Sequence, residues 1–355
     1  MITMTVKNLL GLGLTALKSN FTTLDKPYKL NYCITYLCQS RCLTCNIWQM
    51  RPKGELTLDE VREFARKNTS FKWVELTGGE PFLRDDIDEI AKAFKEHSKS
   101  LYILTMPTNS LVNHDKVVFK LERILKLGIP RVAVTVSLDG YRELHDRIRG
   151  IPGNYDKAID MFRRLKELKK AYPNLFFVFG YTLSKFNQGQ FEKTFSMVKQ
   201  DIPDLRRNDF HINLAQLSSN YYGNETLDIK PNDPVVVSEI ANILKKRDFQ
   251  VGIIPIIERA YIKRLVAYAK TGKQPMRSRS LEASTFIDSY GNVYPSIMWD
   301  RKMANLREIG YDLSRIWHSE AAEEVRGMTR SGTEPAQWTS CEAYQTLVGD
   351  VLSLL

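Results

Sequence analysis

The chain has 355 residues, 43% of them hydrophobic, and a net charge of +10, which is enough material for one large domain and a smaller one beside it. Of its five cysteines, four lie between Cys33 and Cys45 and the fifth, Cys341, is alone near the end. That distribution argues against a disulfide-stapled secreted protein and for thiolate ligands in a reducing cytosol, so a soluble, cytoplasmic globular protein is expected.

The first segment, "VKNLLGLGLTALKSNF", has an apolar run from Leu9 to Leu17 that is too short to span a bilayer, with neither a basic n-region nor a small-residue cleavage site. Neither an export signal nor a membrane span is expected. Its leucines and flanking lysines suit a helix packed across the domain surface, with peripheral membrane contact through residues 6–18 as the alternative.

From Tyr28 onward, runs rich in β-branched and aromatic residues alternate with stretches of helical period. The expected strands are "YKLNYCITY" from Tyr28, "WVELT" from Trp73, "LYILT" from Leu101, "RVAVTVSL" from Arg131, "LFFVFGYT" from Leu175 and "DFHINLAQL" from Asp209. Helices such as "TLDEVREFARKN" and "YDKAIDMFRRLKELKKAY" fall between them, the first with Thr57 as its N-cap and Asp59 and Glu60 at its positive end. Six alternations predict a parallel α/β sheet, either an open doubly wound sheet or a partial barrel. In both, function gathers at the carboxyl ends of the strands. The three-cysteine loop, "GGEP", "PTNS", "SLDG", "SKFN" and "QLSSN" each follow one of the six strands, so the unusual residues share one rim.

The densest basic patch, "RRLKELKK" at Arg163 to Lys170, lies in a helical stretch and reads as a solvated face; no zinc knuckle pair, KH loop or aromatic RNP stretch supports nucleic-acid binding. A helical stretch from about Asp233 to Ala269 precedes a boundary near Lys270 to Ser280. A hairpin turning at Gly291 and Asn292 and a helical tail then make a small appended domain.

The loop "CQSRCLTC" puts Cys38, Cys42 and Cys45 three and then two residues apart. Three thiolates on one loop can hold three irons of a 4Fe-4S cube and leave the fourth open, which marks chemistry more than electron storage. A zinc site with Cys33 as fourth ligand is the alternative, but Cys33 lies inside the first strand and is expected to pack there.

With this spacing the chain resembles the radical S-adenosylmethionine (SAM) enzymes, whose CxxxCxxC loop follows the first strand of a partial (β/α)6 TIM-like barrel. The resemblance implies a cluster on Cys38, Cys42 and Cys45. It also implies SAM chelated to the open iron and split to a 5′-deoxyadenosyl radical that abstracts hydrogen from a substrate. "GGEP" matches the family's second motif, so Gly78, Gly79 and Glu80 are expected to meet the methionine amino group. Gly78 and Gly79 are read as letting a ligand approach bare backbone, and Glu80 as an acceptor for an ammonium.

"SLDG" and "HDRIRG" resemble the branch with SPASM or twitch extensions. By position, Ser137 is implied at the cofactor, Asp139 and Arg149 near ribose and substrate as catalytic residues, and Asn109 and Asn187 at the cofactor. The bland reading of Asp139 and Arg149 is helix capping and a surface ion pair. Thr44 departs from the aromatic residue many members carry there, which weakens the packing expected on the adenine side.

The division implied is an amphipathic segment (1–26), a barrel (27–250), a connecting helix (251–275) and a twitch/SPASM-like C-terminal domain (276–355). Ser280 and Ser296 stand where cluster cysteines are expected, Glu334 and Gln337 at the partner spacing, and only Cys341 remains, so that domain is expected to lack an auxiliary cluster. The substrate is left open between a peptide and a lipid-linked or phosphorylated small molecule, with a reductant such as flavodoxin or ferredoxin as electron donor. Two other readings stay open: a zinc-stabilised RNA-binding module, and a catalytically idle relative that binds SAM.

Overall fold

In a computed structural model, which describes residues 2–231 and 233–350, the six apolar runs form parallel strands. They are β1 (Lys29–Thr35), β2 (Trp73–Gly78), β3 (Ile103–Thr108), β4 (Arg131–Ser137), β5 (Leu175–Leu183) and β6 (Phe210–Leu214). The helices are α1 (Ile2–Lys18), α2 (Leu58–Lys67), α3 (Ile87–His97), α4 (His114–Leu125), α5 (Arg142–Arg149), α6 (Asn154–Ala171), α7 (Phe191–Asp201), α8 (Asp233–Lys246) and α9 (Ile253–Thr271). Each of the six strands is hydrogen-bonded to the next in chain order. A doubly wound sheet would reverse its strand order at a switch point. The unbroken order makes this a partial barrel.

The local reasons are visible in the sequence. Thr57 caps α2 in a capping box: its hydroxyl accepts from the Glu60 N–H, and the Glu60 carboxylate accepts from the Thr57 N–H at 2.8 Å. The helical stretch expected over 233–269 is two helices. Its period runs through "RDFQVG", but the chain breaks there, with Gly252 at φ +132°. Arg247 and Asp248 in that break pin it to the amino end of β6: Arg247 donates to the Phe210 carbonyl, and the Asp248 carbonyl accepts from Asn208.

The C-terminal hairpin pairs β7 (Ser284–Ile287) with β8 (Asn292–Tyr294), and β9 (Ala304–Asn305) adds to β8. Its turn is made by Gly291 at φ +84° and by the Asp288 carboxylate, which accepts from the Tyr290 and Asn292 N–H groups; Asn292 itself already belongs to β8. β7 lies parallel to β1 on the edge a closed barrel would give to β6, so among the described residues the tail extends the barrel sheet to nine strands. α10 (Ser314–Trp317), α11 (Glu320–Ser331) and α12 (Ser340–Gly349) complete it, and α12 packs against α1 and α9. No helix among the described residues is long and apolar enough to cross a membrane.

In β3 and β4 burial alternates: Leu104, Met106, Val132, Val134 and Val136 are fully buried, while Ile103, Thr105, Ala133, Thr135 and Ser137 are half-buried and line the barrel's interior. A closed eight-stranded barrel fills its centre with layers of branched side chains. Here the inward residues of β4 and β5 include Ala133, Thr135, Ser137, Gly180 and Thr182, and a Cβ on Gly180 would lie 2.6 Å from the Thr135 methyl. These short side chains leave a cavity of about 1370 Å³ that is open to solvent. The two faces predict opposite mutational costs. Leu104→Ala should destabilise by about 2–5 kcal/mol in denaturant unfolding, whereas Thr105→Ala, whose hydroxyl has no hydrogen-bond partner among the described residues, should change stability by roughly 0.5 kcal/mol or less.

Candidate active site

The loop after β1 is held from three sides. At its start, Glu55 accepts from the Tyr36 N–H at 2.7 Å and from the Thr35 hydroxyl at 2.9 Å, and that hydroxyl accepts from the Leu37 N–H at 3.0 Å. In the middle, the Arg41 and Leu43 N–H groups donate to the carbonyls of Arg149 and Ile148, each at 2.9 Å, tying the loop to the end of α5. At its end, the Asn46 N–H donates to the Tyr222 carbonyl at 3.0 Å and Asn224 donates to the Thr44 carbonyl at 2.8 Å.

Cys38, Cys42 and Cys45 all line the barrel cavity. Each sulfur has an N–H donor nearby: Asn109 Nδ2 at 3.7 Å from Cys38, Arg149 Nη1 at 3.8 Å from Cys42, and the Ile47 amide at 3.4 Å from Cys45. Burial raises all three thiols, Cys38 to about 11, and Arg149 opposes the rise. Such donors are what an anionic sulfur bound to iron requires.

Among the described residues, no three Cys, His, Asp or Glu side chains are arranged as a site for a metal ion. A tetrahedral ion, with bonds to sulfur of about 2.3 Å, needs its ligands to converge on one point. A cube that takes one thiolate on each of three irons does not, and an all-sulfur donor set with an open side fits such a cube. Cys33 is outside the cavity: it is fully buried in β1, in an apolar cluster with Tyr36, Ile47, Tyr221 and Phe286.

The turn at the end of β2 meets this loop directly. The Gly79 N–H donates to the Thr35 carbonyl and the Glu80 N–H to the Leu37 carbonyl, each at 2.8 Å. A Cβ on Gly78, which sits at φ +144°, would lie 2.1 Å from the Thr35 oxygen, and one on Gly79 2.2 Å from the Leu37 oxygen. The glycines are therefore required by the backbone of the cysteine loop, and both also border the cavity where the cofactor was expected. Glu80 also borders it, and its carboxylate accepts from the Asn109 N–H at 2.6 Å and the Phe82 N–H at 3.3 Å. Burial pushes this carboxyl up to about 7 against the pull of those donors. An arriving cation would draw it back to the ionised form.

Ser137, Asp139 and Arg149 face the same cavity. Asp139 is buried, and Arg149, whose side chain is 15% exposed, pairs with it at 2.7 Å, so the pair is not the surface ion pair of the bland reading. Asp139 also accepts from the Thr182 N–H at 3.0 Å, and its own N–H donates to His145 Nδ1 at 3.0 Å. Burial, with Arg149 adding to it, lowers His145 to about 3, so the ring is a neutral acceptor.

Asn109 borders the cavity between Cys38 and Glu80. Asn187 does not. Its amide donates to the Asp139 and Thr182 carbonyls, both at 2.9 Å, and its oxygen accepts from Ser184. The expectation of a cofactor contact from Asn187 is thus corrected: with its donors and acceptor engaged it clamps the end of β4 to that of β5. Thr44 lines the cavity with a short side chain in place of an aromatic ring.

Sequence reasoning missed several residues. Tyr221 donates to the Gly78 carbonyl at 3.1 Å and lies 2.8 Å from the Thr77 hydroxyl, fixing the turn from the far side of the barrel; the adjacent tyrosines after "QLSSN" were its only signal. Glu55 belongs to no recognisable motif, and His145, though the first residue of "HDRIRG", was given no role.

In the tail, Ser296 donates to Gln337 at 3.0 Å, and Ser278 donates to Glu334 and lies 3.1 Å from the Ser280 hydroxyl. Gln274 bridges the two groups, donating to Glu334 at 2.6 Å and accepting from the Gln337 N–H at 3.2 Å. Cys341 turns away into the barrel, where its thiol donates to Glu75 at 3.1 Å.

The family model described as the Radical SAM superfamily matches residues 32–198. Among curated relatives, the AdoMet-dependent heme synthase of Methanosarcina barkeri is 30% identical over 182 residues, 50% of this chain and 48% of that protein. The GTP 3′,8-cyclase of Cronobacter sakazakii is 30% identical over 154 residues, 40% of this chain and 45% of that one. The chain thus spans about half the length of these relatives.

Two solved structures share the fold. Streptococcus suis SuiB bound to S-adenosylmethionine has a TM-score of 0.61 at 16% identity, covering 88% of this chain and 70% of that one. anSMEcpe with bound AdoMet has a TM-score of 0.60 at 13% identity, covering 92% and 98%. Members of the superfamily bind a 4Fe-4S cluster and SAM. With the cysteine loop and the Gly-Gly-Glu-Pro turn inside the matched region and the partial barrel around them, residues 32–198 are a radical SAM domain.

Proposed function

We propose that this chain is an enzyme that holds a 4Fe-4S cluster on Cys38, Cys42 and Cys45 and binds SAM beside it, using both to abstract hydrogen from a substrate in the barrel. With both bound, the cluster supplies the electron that splits the sulfonium and releases a 5′-deoxyadenosyl radical. The observation that carries this reading is the convergence of three thiols, Glu80 and the Asp139–Arg149 pair on one cavity at the carboxyl ends of the strands.

Each residue has a defined task. Arg149 donates toward Cys42 and Asn109 toward Cys38, withdrawing charge from the sulfurs and raising the potential at which the site accepts an electron. Glu80 accepts the ammonium of SAM, and Ser137 and Asp139 stand on the ribose and substrate side. Arg149 neutralises Asp139, and Asn187 acts by positioning that aspartate's loop. Ligand pockets commonly enclose about 300–1,000 Å³; at about 1370 Å³ the cavity has room for a second molecule beside SAM.

Residues 276–355 are read as a twitch-like extension without a metal, since Ser280, Ser296, Glu334 and Gln337 offer hydroxyl, carboxyl and amide groups where thiolates would be needed. The five free thiols suit a reducing cytoplasm, and the electron comes from an external one-electron reductant such as flavodoxin or ferredoxin. SuiB has been solved with its precursor peptide SuiA, which keeps a peptide among the substrate classes.

Anaerobically reconstituted protein given dithionite and SAM should release 5′-deoxyadenosine, and Cys42→Ala should release none; equal yields from the two would overturn the proposal. Iron analysis should give about four irons per chain, whereas about eight would mean a second cluster and contradict the reading of the tail. Gly79→Ala should lose most of its iron, because its Cβ collides with the loop that carries the cysteines. Gly13→Ala, in open space on α1, should load normally.

A further inference from the structure

The cavity does not end at the cysteine rim. It continues through the barrel past Trp73, Ile103, Arg131 and Phe176, at the amino ends of their strands, and opens at the opposite end of the molecule. Two segments border that lower mouth. α1 crosses it, with Leu12 and Ala16 packed on Tyr28, Tyr102 and Ile103; the segment between α8 and α9 flanks it, anchored to β6 through Arg247 and Asp248.

Both segments expose apolar side chains. Among the described residues, eleven of the fifteen large exposed hydrophobics belong to Val6–Phe21 or Phe249–Ile256, so the exposure is concentrated at one end. Leu14 is 67% exposed, Phe249 89% and Val251 90%. Leu9, Leu10, Leu14, Leu17, Ile253 and Ile254 also line the cavity, which makes the apolar patch and the cavity wall one surface.

Lys7, Lys18, Lys245 and Arg259 are exposed around this patch and have no acidic partner among the described residues, in a chain of net charge +10. Just inside the mouth, the Arg131 guanidinium rests on the Phe176 ring at 3.6 Å, with no carboxylate paired to it among the described residues. Asp204, Asp209 and Asp248 also border this end, but they are engaged by Lys166 and by the Arg206 and Arg207 N–H groups, so unpaired cations around apolar side chains match the layering of an anionic bilayer, whose phosphates lie above its hydrocarbon.

We propose that the lower end docks on an anionic membrane surface, and that the barrel takes from it a lipid-borne substrate. The apolar chain of that substrate runs up the cavity toward the cysteine rim while its anionic head stays at the cationic mouth. This names the substrate class and rests on the enzymatic reading above, but membrane docking is measured without it.

The test is flotation of purified protein with vesicles of phosphatidylcholine alone or mixed with phosphatidylglycerol. The wild type should float with the mixed vesicles and less with neutral ones, and added salt should weaken it. Leu10→Glu with Leu14→Glu, and separately Ile253→Glu with Ile254→Glu, should each weaken flotation by about tenfold or more. Unchanged circular dichroism and melting temperature would show that these exposed positions leave the fold intact. Cys42→Ala should float like the wild type even if no 5′-deoxyadenosine were ever formed, so the two proposals fail separately. No flotation of the wild type, or equal flotation of the variants, would overturn the inference. So would a dimer, without vesicle binding, that the glutamate variants convert to monomer, because the patch would then be covered by a second copy.

Discussion

The arrangement depends on how closely two strand ends approach one another. The backbone that leaves β1 toward the cysteines and the backbone that leaves β2 toward Glu80 are linked by two hydrogen bonds of 2.8 Å. They touch so tightly that the space of a single methyl group is missing at Gly78 and at Gly79. A parallel sheet alone brings the two loops to the same rim; the glycine pair brings them into contact. Because of that contact, three thiols and a carboxylate face one cavity, and from it follow the approach of Asn109 to the Cys38 sulfur and the seating of Glu80 against the Asn109 amide.

The second constraint is what the barrel omits. Ala133, Thr135, Ser137, Gly180 and Thr182 point inward where a closed barrel would place branched aliphatics, so hydrophobic burial is concentrated between sheet and helices. Two of the polar groups left inside are held by their neighbours: Asp139 by Arg149, Thr182 and His145, and Cys341 by Glu75. A largely buried pair such as Asp139–Arg149 is a weak source of stability once its desolvation is counted, and its value lies in fixing where two charged groups stand.

The strands and the cysteine loop were legible in the sequence because their signals are local. A β-branched run, an N-cap threonine followed three residues later by glutamate, and three cysteines in eight positions each declare themselves within one window. What stayed hidden was set by contacts across the chain. Nothing near Asn187 reveals that its amide is consumed by the carbonyls of Asp139 and Thr182, and nothing in "PKGEL" reveals that Glu55 anchors the loop at Tyr36. Apolar spacing continues across "RDFQVG", so periodicity gave one helix where Gly252 and the anchoring of Arg247 make two. The parallel pairing of β7 with β1 was equally invisible, since a hairpin has the same local pattern whether it stands apart or extends a barrel.

The claim on which the functional reading rests is that one iron beside these three sulfurs has no protein ligand and is met by the amino group of SAM. Electron–nuclear double resonance on the reduced, reconstituted protein, with SAM carrying 15N at its amino nitrogen, measures that contact. The account predicts a 15N coupling to the cluster that vanishes with unlabelled SAM. A cluster signal indifferent to the label, or one coupled to a protein nitrogen in its place, would contradict it.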